Sequence, residues 1–267
     1  MADKILTLYG GEVKIITREK TRLGDMYMQY FHEDGTKIIS VTEATGMVNK
    51  PRLIDWAVRM MKENLIDARE RGVYISVPEI IKASYTHKQF KQDAANKGKA
   101  VHNWCEQYIK YFLKESLIKP PMPQDEQVTN GALAFMKWEQ EHKIKWIAAE
   151  KVIYSRAHDY AGRMDAKAKV DGKLCSIDFK TGNATYNEHR YQVAGYQEAD
   201  AEECGCKYTG EKWLLRFDKI TAEFEADQYG EHDEDFKSFL AALQLKKRDN
   251  QLTGKDAKAK KPVILPY

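Results

Sequence analysis

Apolar and polar residues alternate in three short runs near the start of the chain, VKIITR, MYMQYF and KIISVT, within residues 11–41. Alternation with a period of two marks half-buried strands, and Gly24-Asp25 and Asp34-Gly35 supply turn chemistry between the runs. The pattern therefore predicts a small β meander. Thr42 offers an N-cap for a short helix that stops at Gly46. From Pro51 to Arg71 the period lengthens, with apolar residues at 53, 54, 57, 58, 61 and 65, and Gly72 marks the stop of a helix. A further helix is expected over 77–84, with Pro78 in its first turn, and a longer one over 87–117. Val101, Cys105, Tyr108 and Phe112 form the buried stripe of the longer helix, and Pro120, Pro121 and Pro123 end it.

Residues 127–143 read as another helix carrying Leu133, Met136 and Trp138. The texture then turns to strands, KWIAAEKVIYS, GRMDAKAKV and KLCSIDFK, followed by a helix at 187–203, a strand at KWLLRF and a last helix at 232–247. This order predicts an α/β (mixed α+β) fold, a central mixed sheet flanked by helices, with three parts. Residues 1–86 form an N-terminal β-meander and helical extension, 87–248 the core, and 249–267 a basic tail that reads as solvated rather than as a phosphate-binding arm.

Composition narrows the class. The 267 residues are 43% hydrophobic and 31% charged, a balance that supports a folded core. No apolar stretch approaches the roughly 18 residues of a membrane span. The opening MADKILTLYGG lacks the apolar core of a signal peptide, so no membrane partner and a cytoplasmic location are expected. A net charge of +3 does not by itself announce a nucleic-acid binder. Cysteines 105, 175, 204 and 206 have no CxxC pairing, so reduced thiols and no zinc site are expected.

The most informative stretch is GRMDAKAKVDGKLCSIDFKTG. Asp171-Gly172 between two alternating runs signals a two-residue type I′ hairpin. Counting outward pairs Val170 with Lys173 and Ala166 with Ile177, and sets Asp165 opposite Asp178. Met164, Ala166, Ala168 and Val170 then share an apolar face with Cys175, Ile177 and Phe179. Asp165, Lys167, Ser176, Asp178 and Lys180 occupy the other. Opposed carboxylates destabilise a sheet unless a proton, a lysine or a cation intervenes. An exposed face neutralised by Lys167 and Lys180 is one reading. A divalent cation on two carboxylates, with Lys180 reaching its water, is the other. The triplet Asp178-x-Lys180 is not decisive alone, since Asp235/Lys237 and five other acid-x-Lys triplets occur in the chain.

Four motifs in order tip that balance: KGKAVHNWCE with His102, GRMD with Asp165, IDFKTG with Asp178 and Lys180, and QVAGY with Gln192 and Tyr196. In these the chain resembles the PD-(D/E)xK nuclease superfamily, in its RecB-like branch of CRISPR-associated and phage-encoded exonucleases, over about residues 98–200. SVTEATGMVNKPRLIDWA is similar to the N-terminal helical part of phage members. The resemblance implies a restriction-endonuclease-like core and a metal-dependent DNA nuclease, most naturally an exonuclease on linear DNA in phage-type recombination, repair or replication. The location would then be a host cytoplasm.

It further implies that His102, Asp165, Asp178 and the Phe179 backbone carbonyl hold Mg²⁺ or Mn²⁺, with imidazole favouring Mn²⁺. Lys180 would orient the attacking water. Gln192 and Tyr196 would contact DNA phosphate or orient the lysine. Glu150 matches an acidic position of the family, and its role stays open. Gly98, one turn before His102, leaves room for backbone or substrate. The cysteines of iron–sulfur members are missing, so no cluster is expected. With no GxxxxGK[ST], neither a nucleotide cofactor nor motor activity is expected. A single-strand annealing protein is the expected companion. The alternatives are a nucleic-acid-binding protein of this fold with little or no cleavage, or an endonuclease, and RNA stays open as a substrate.

Overall fold

Residues 3–22, 25–48, 51–209 and 212–254 are described by the computed structural model, and within them lie nine strands and six α-helices. Gly24 of the expected first turn, Asn49-Lys50 and residues 255–267 of the expected tail lie outside the described residues. The meander comprises β1 (Lys4–Leu8), β2 (Val13–Arg22), β3 (Asp25–His32) and β4 (Lys37–Ser40). The sequence pattern missed β1, an edge strand exposed along most of its length, which has no fully buried face to impose alternation.

Helix α1 (Val41–Thr45) is capped by Ser40 and not by Thr42. Ser40 Oγ accepts from the Glu43 N–H at 3.1 Å, and Glu43 Oε2 accepts from the Ser40 N–H at 3.0 Å. This reciprocal pair satisfies two donors, while the Thr42 hydroxyl lies 3.2 Å from Ser40 Oγ. Helix α2 (Pro51–Glu70) follows the expected span. The two helices expected over 77–84 and 87–117 are one, α3 (Val77–Phe112), because SYTHKQF between them contains no breaker. It stops before the prolines. Lys114 takes φ 61°, and the Glu115 N–H returns to the Lys110 carbonyl at 2.9 Å, closing the end with a left-handed cap.

Helix α4 (Glu126–Glu141) starts at Asp125, whose carboxylate accepts from the Val128 N–H at 3.1 Å. Then come β5 (Ile144–Ser155), β6 (Tyr160–Val170), β7 (Lys173–Lys180), α5 (Asn187–Cys204), β8 (Lys212–Phe217), β9 (Phe224–Tyr229) and α6 (His232–Thr253). The partly exposed edge strand β9 was not expected, and α6 runs on into residues assigned to the tail. The expected boundary at 86/87 falls inside α3, and that at 248/249 inside α6.

All nine strands join one mixed sheet, with β4–β6 and β7–β8 parallel and the other pairs antiparallel. Helices α3 and α4 cover one face through Val101, Cys105, Ile109, Phe135 and Trp138 against Ala166, Ile177, Phe179 and Leu215. The other face meets α1, α5 and α6 through Val41, Tyr196, Ala199, Phe239 and Leu243 against Ile153 and Met164. The chain is thus a mixed α/β protein with a large sheet flanked by helices. Phe135 is fully buried, with the rings of Trp104, Tyr108, Trp138, Trp146, Phe179 and Phe217 centred 5.4–6.4 Å away. Burying one such side chain stabilises by about 1.5–3 kcal/mol. No described helix is long and apolar enough to cross a membrane.

The meander is also tied to the β5–β6 turn by His32, whose Nε2 lies 2.9 Å from Asp159 Oδ1. The bond to Asp159 raises the imidazole pKa above 6.5, and the His32 partner lowers that of the carboxyl. The imidazole contribution is complete below its unfolded pKa and is lost as pH rises through the raised folded value. The carboxylate contribution is lost as pH falls through its own depressed value. Urea denaturation of wild type and His32→Gln at pH 5.5 and 8.5 should show a stability gap that narrows at the higher pH.

Candidate functional site

The hairpin forms as a type I′ turn requires, with Asp171 at φ 50° and Gly172 at φ 84°. The register runs from Val170↔Lys173 to Ala166↔Ile177 as counted from the sequence. There it stops. Asp165 and Asp178 do not form the next ladder pair, because β7 leaves β6 and continues parallel to β8, from Ile177↔Trp213 to Lys180↔Arg216. Asp165 Oδ2 instead accepts the Phe179 N–H at 2.7 Å, taking the place of a strand carbonyl. On the same edge of β6, β4 reaches only Tyr160 and Ala161, so residues 162–165 face an opening in the sheet.

The expected faces need two corrections. Met164 does not share the face of Ala166; it packs with Tyr160, Tyr196 and Phe239 beneath α5 and α6. Opposite Asp165, Glu150 takes φ 49° and the β5–β6 ladder omits the pair, so the alternation of faces is reset at this point. Lys167 does not neutralise the aspartates, because its Nζ is bound to Asp200 Oδ2 at 2.5 Å.

Four elements bring the expected residues to the opening. His102, from α3, places Nδ1 3.5 Å from Asp165 Oδ2, with its ring edge-on to Phe179. Gly98, one turn earlier, lets the helix approach: a Cβ there would sit 2.3 Å from Thr181 Oγ1. The room at Gly98 is therefore filled by this chain's own β7 end. From β7, Asp178 and Lys180 form an ion pair with Oδ2 and Nζ 2.5 Å apart. Lys180 Nζ donates to Gln192 Oε1 at 3.4 Å, and Gln192 Nε2 donates to the Tyr196 hydroxyl at 2.8 Å. Tyr196 is 3% exposed, with its ring against Gly162, so it holds Gln192 and does not meet a phosphate itself. In an extended strand the N–H and C=O of one residue leave by the same edge, so the Phe179 carbonyl also faces the opening.

The electrostatics are those of crowded carboxylates. Burial pushes the Asp178 carboxyl up to about 6, and Asp165 adds to the shift against the pull of Lys180 and His102. Burial and then Asp165 push Glu150 up to about 7, although Arg163 Nε lies 2.6 Å from its Oε2. Asp165 keeps a lowered pKa. Burial opposes ionisation there, and His102, Lys180 and the Phe179 N–H outweigh it. His102 is raised, since Asp165 outweighs burial. Buried carboxylates, an imidazole and a carbonyl are donors of the kind that Mg²⁺ or Mn²⁺ takes, but among the described residues His102, Asp165 and Asp178 are not a group whose ligand atoms all lie within 4.8 Å of one another.

Sequence reasoning missed three neighbours. Glu106 follows His102 by one turn of α3, a spacing readable in the sequence, and adds its negative field to Glu150. Arg163 binds Glu150, and Thr181 seats Gly98. The expectation of free thiols at 204 and 206 is also corrected, because Cys204 and Cys206 are joined as a disulfide. One turn past α5 at Gly205, with φ 59°, brings the two side chains together.

No family model matches the chain, and no curated protein matches it. Among solved structures the chain is similar to the crystal structure of SSO0001, at 12% identity, covering 60% of this chain and 77% of that one with a TM-score of 0.27. So distant a likeness says nothing of function.

The seating of α3 on β7 can be tested at Gly98. In a helix interior, Gly→Ala alone stabilises by about 1 kcal/mol. Overpacking against Thr181 should instead cost about 1–3 kcal/mol net in Gly98→Ala. Adding Thr181→Ala should restore much of that loss in denaturant titration. Equal stability of Gly98→Ala and wild type would contradict the contact.

Proposed function

We propose that this chain is a divalent-metal-dependent nuclease acting on DNA, an exonuclease by its likeness to the RecB-like branch of the PD-(D/E)xK superfamily. The observation that carries the reading is the convergence of His102, Asp165, Asp178 and Lys180 at the opening between β6 and β7. A binding protein needs positive charge; it does not need buried carboxylates crowded around one lysine. His102, Asp165, Asp178 and the Phe179 carbonyl would hold the metal, which when bound polarises the scissile phosphate and lowers the pKa of a bound water.

The remaining work falls to this chain's own groups. Lys180 orients the attacking water and offsets charge that builds on the phosphate oxygens. Gln192 fixes the Lys180 ammonium, and Tyr196 fixes Gln192 from within the core. Asp165 holds the β7 backbone in place through the Phe179 N–H, so that Asp178 and Lys180 keep a common orientation. Tyr196 and Gln192 are positioning residues by this account.

The test incubates end-labelled linear duplex, linear single strands and closed circles with the protein and Mg²⁺, Mn²⁺ or EDTA. Linear DNA should be degraded with metal and circles spared. Asp178→Ala and Lys180→Ala should each lose about 10²–10³-fold in rate, the scale for removing one charge-stabilising group. Absence of cleavage, or undiminished cleavage in both variants, overturns the nuclease reading. Cleavage of circles would move it to an endonuclease.

A further inference from the structure

Away from the β6–β7 opening, a second charged cluster lies where α5 ends against β5 and β6. Asp200 is fully buried. Its Oδ1 accepts from Lys151 Nζ at 2.6 Å, and its Oδ2 accepts from Lys167 Nζ at 2.5 Å and from the Tyr208 hydroxyl at 2.6 Å. Glu203 Oε2 lies 3.0 Å from the same Lys151 Nζ. Beside this network sits the Cys204–Cys206 disulfide, with a Cα separation of 5.1 Å. Lys167 Nζ is 3.5 Å from Cys206 Sγ and 3.7 Å from Cys204 Sγ.

Three roles compete for the two sulfurs. Among the described residues, Asp200, Cys204 and Cys206 are the group whose ligand atoms all lie within 4.8 Å of one another, as a soft metal asks. Asp200 is already shared among three donors, however, and an ammonium stands against both sulfurs, which repels a cation. A structural staple is equally poor, because a bond closing so short a loop removes little entropy from the unfolded chain. An ammonium beside a sulfur does favour one state, the thiolate.

We propose that Cys204 and Cys206 form a reversible dithiol–disulfide site, with Cys206 as the nucleophile, Cys204 as the resolving thiol and Lys167 as the cation that stabilises the thiolate. Cys206 has the shorter contact to Lys167 and lines a surface cavity of about 530 Å³ with Lys207, Tyr208 and Gln197. Cys204 is exposed, and its sulfur lies 3.9 Å from Asp200 Oδ2, where a second negative charge is disfavoured. The charges around the pair are Asp200 and Glu203 of α5, Lys151 of β5 and Lys167 of β6. Tyr208 follows α5, and Glu198, Lys207, Lys173, His232 and Asp233 line the cavity.

The oxidant is a hydroperoxide. The Cys206 thiolate attacks its terminal oxygen, the O–O bond breaks, the departing oxyanion takes a proton, and a sulfenic acid remains. The Cys204 thiol then attacks the sulfenic sulfur; the S–S bond forms, the S–O bond breaks, and the hydroxyl leaves with the thiol proton as water. Two electrons pass from the sulfurs to the hydroperoxide. A dithiol reductant returns them.

The experiment uses the full chain, reduced with dithiothreitol and desalted, with thiols counted by iodoacetamide labelling and peptide mass spectrometry. One equivalent of hydrogen peroxide should remove labelling at Cys204 and Cys206 together, leave the peptide two hydrogens lighter than the reduced form, and be reversed by dithiothreitol. The pH midpoint of Cys206 alkylation should lie about one unit below the ~8.5 of a free thiol. Lys167→Gln should return it towards that value, and Lys167→Arg should keep it low. A wild-type midpoint at or above the free-thiol value overturns the proposal whether or not Lys167→Gln folds. So does oxidation to sulfinic acid without a disulfide, or stoichiometric Zn²⁺ retained by the two thiols.

Discussion

One hydrogen bond decides the architecture of the candidate site: the Phe179 N–H donated to Asp165 Oδ2. A strand that leaves its neighbour abandons backbone donors, and an abandoned buried donor costs about 1–3 kcal/mol. Asp165 receives this one with its side chain. The β6–β7 pair can therefore separate after Ala166↔Ile177 without orphaning the Phe179 N–H, and β7 runs on beside β8. The same carboxylate that permits the opening also furnishes one wall of it.

Around that opening the layers act as two clamps. Helix α3 presses from one face, seated at Gly98 on Thr181 and delivering His102. Helix α5 presses from the other, with Tyr196 lodged against Gly162 and Gln192 reaching Lys180. Aromatic packing around Phe135 and Phe179 holds the sheet against the first clamp, and Phe239 and Met164 hold it against the second. The charged groups are thus fixed by apolar contacts made one residue away. This is how a protein keeps like charges close: burial elsewhere supplies the stabilisation that the carboxylates alone oppose.

Much of this was legible because two rules are local and strict. A two-residue turn fixes register, so Asp171-Gly172 was enough to place Ala166 against Ile177. Helical spacing put Gln192 under Tyr196. What escaped is what counting cannot see. Parity assumes a regular strand, and it fails where the β5–β6 ladder omits the Glu150/Asp165 pair, so that Met164 lies on the other face. The edge strands β1 and β9 lack a fully buried side and so left no alternation to read. The burial of Tyr196 and the partnership of Lys167 with Asp200 depend on how α5 lies across the sheet. No short window of sequence encodes that placement.

Helix α3 spans 36 residues, which at 1.5 Å each is a rod of about 54 Å. Its second half is embedded, with Val101, Cys105 and Ile109 fully buried, while its first half carries Val77, Ile81, Tyr85 and Phe90 into solvent. Between the halves stands Gly98, the rod's softest joint and the point where it bears on β7. A sideways load on the outer half is therefore a torque about that bearing, and His102, one turn beyond the fulcrum, lies on the short arm. A displacement of the outer half, against which α2 packs, would thus reach the imidazole as a smaller rotation.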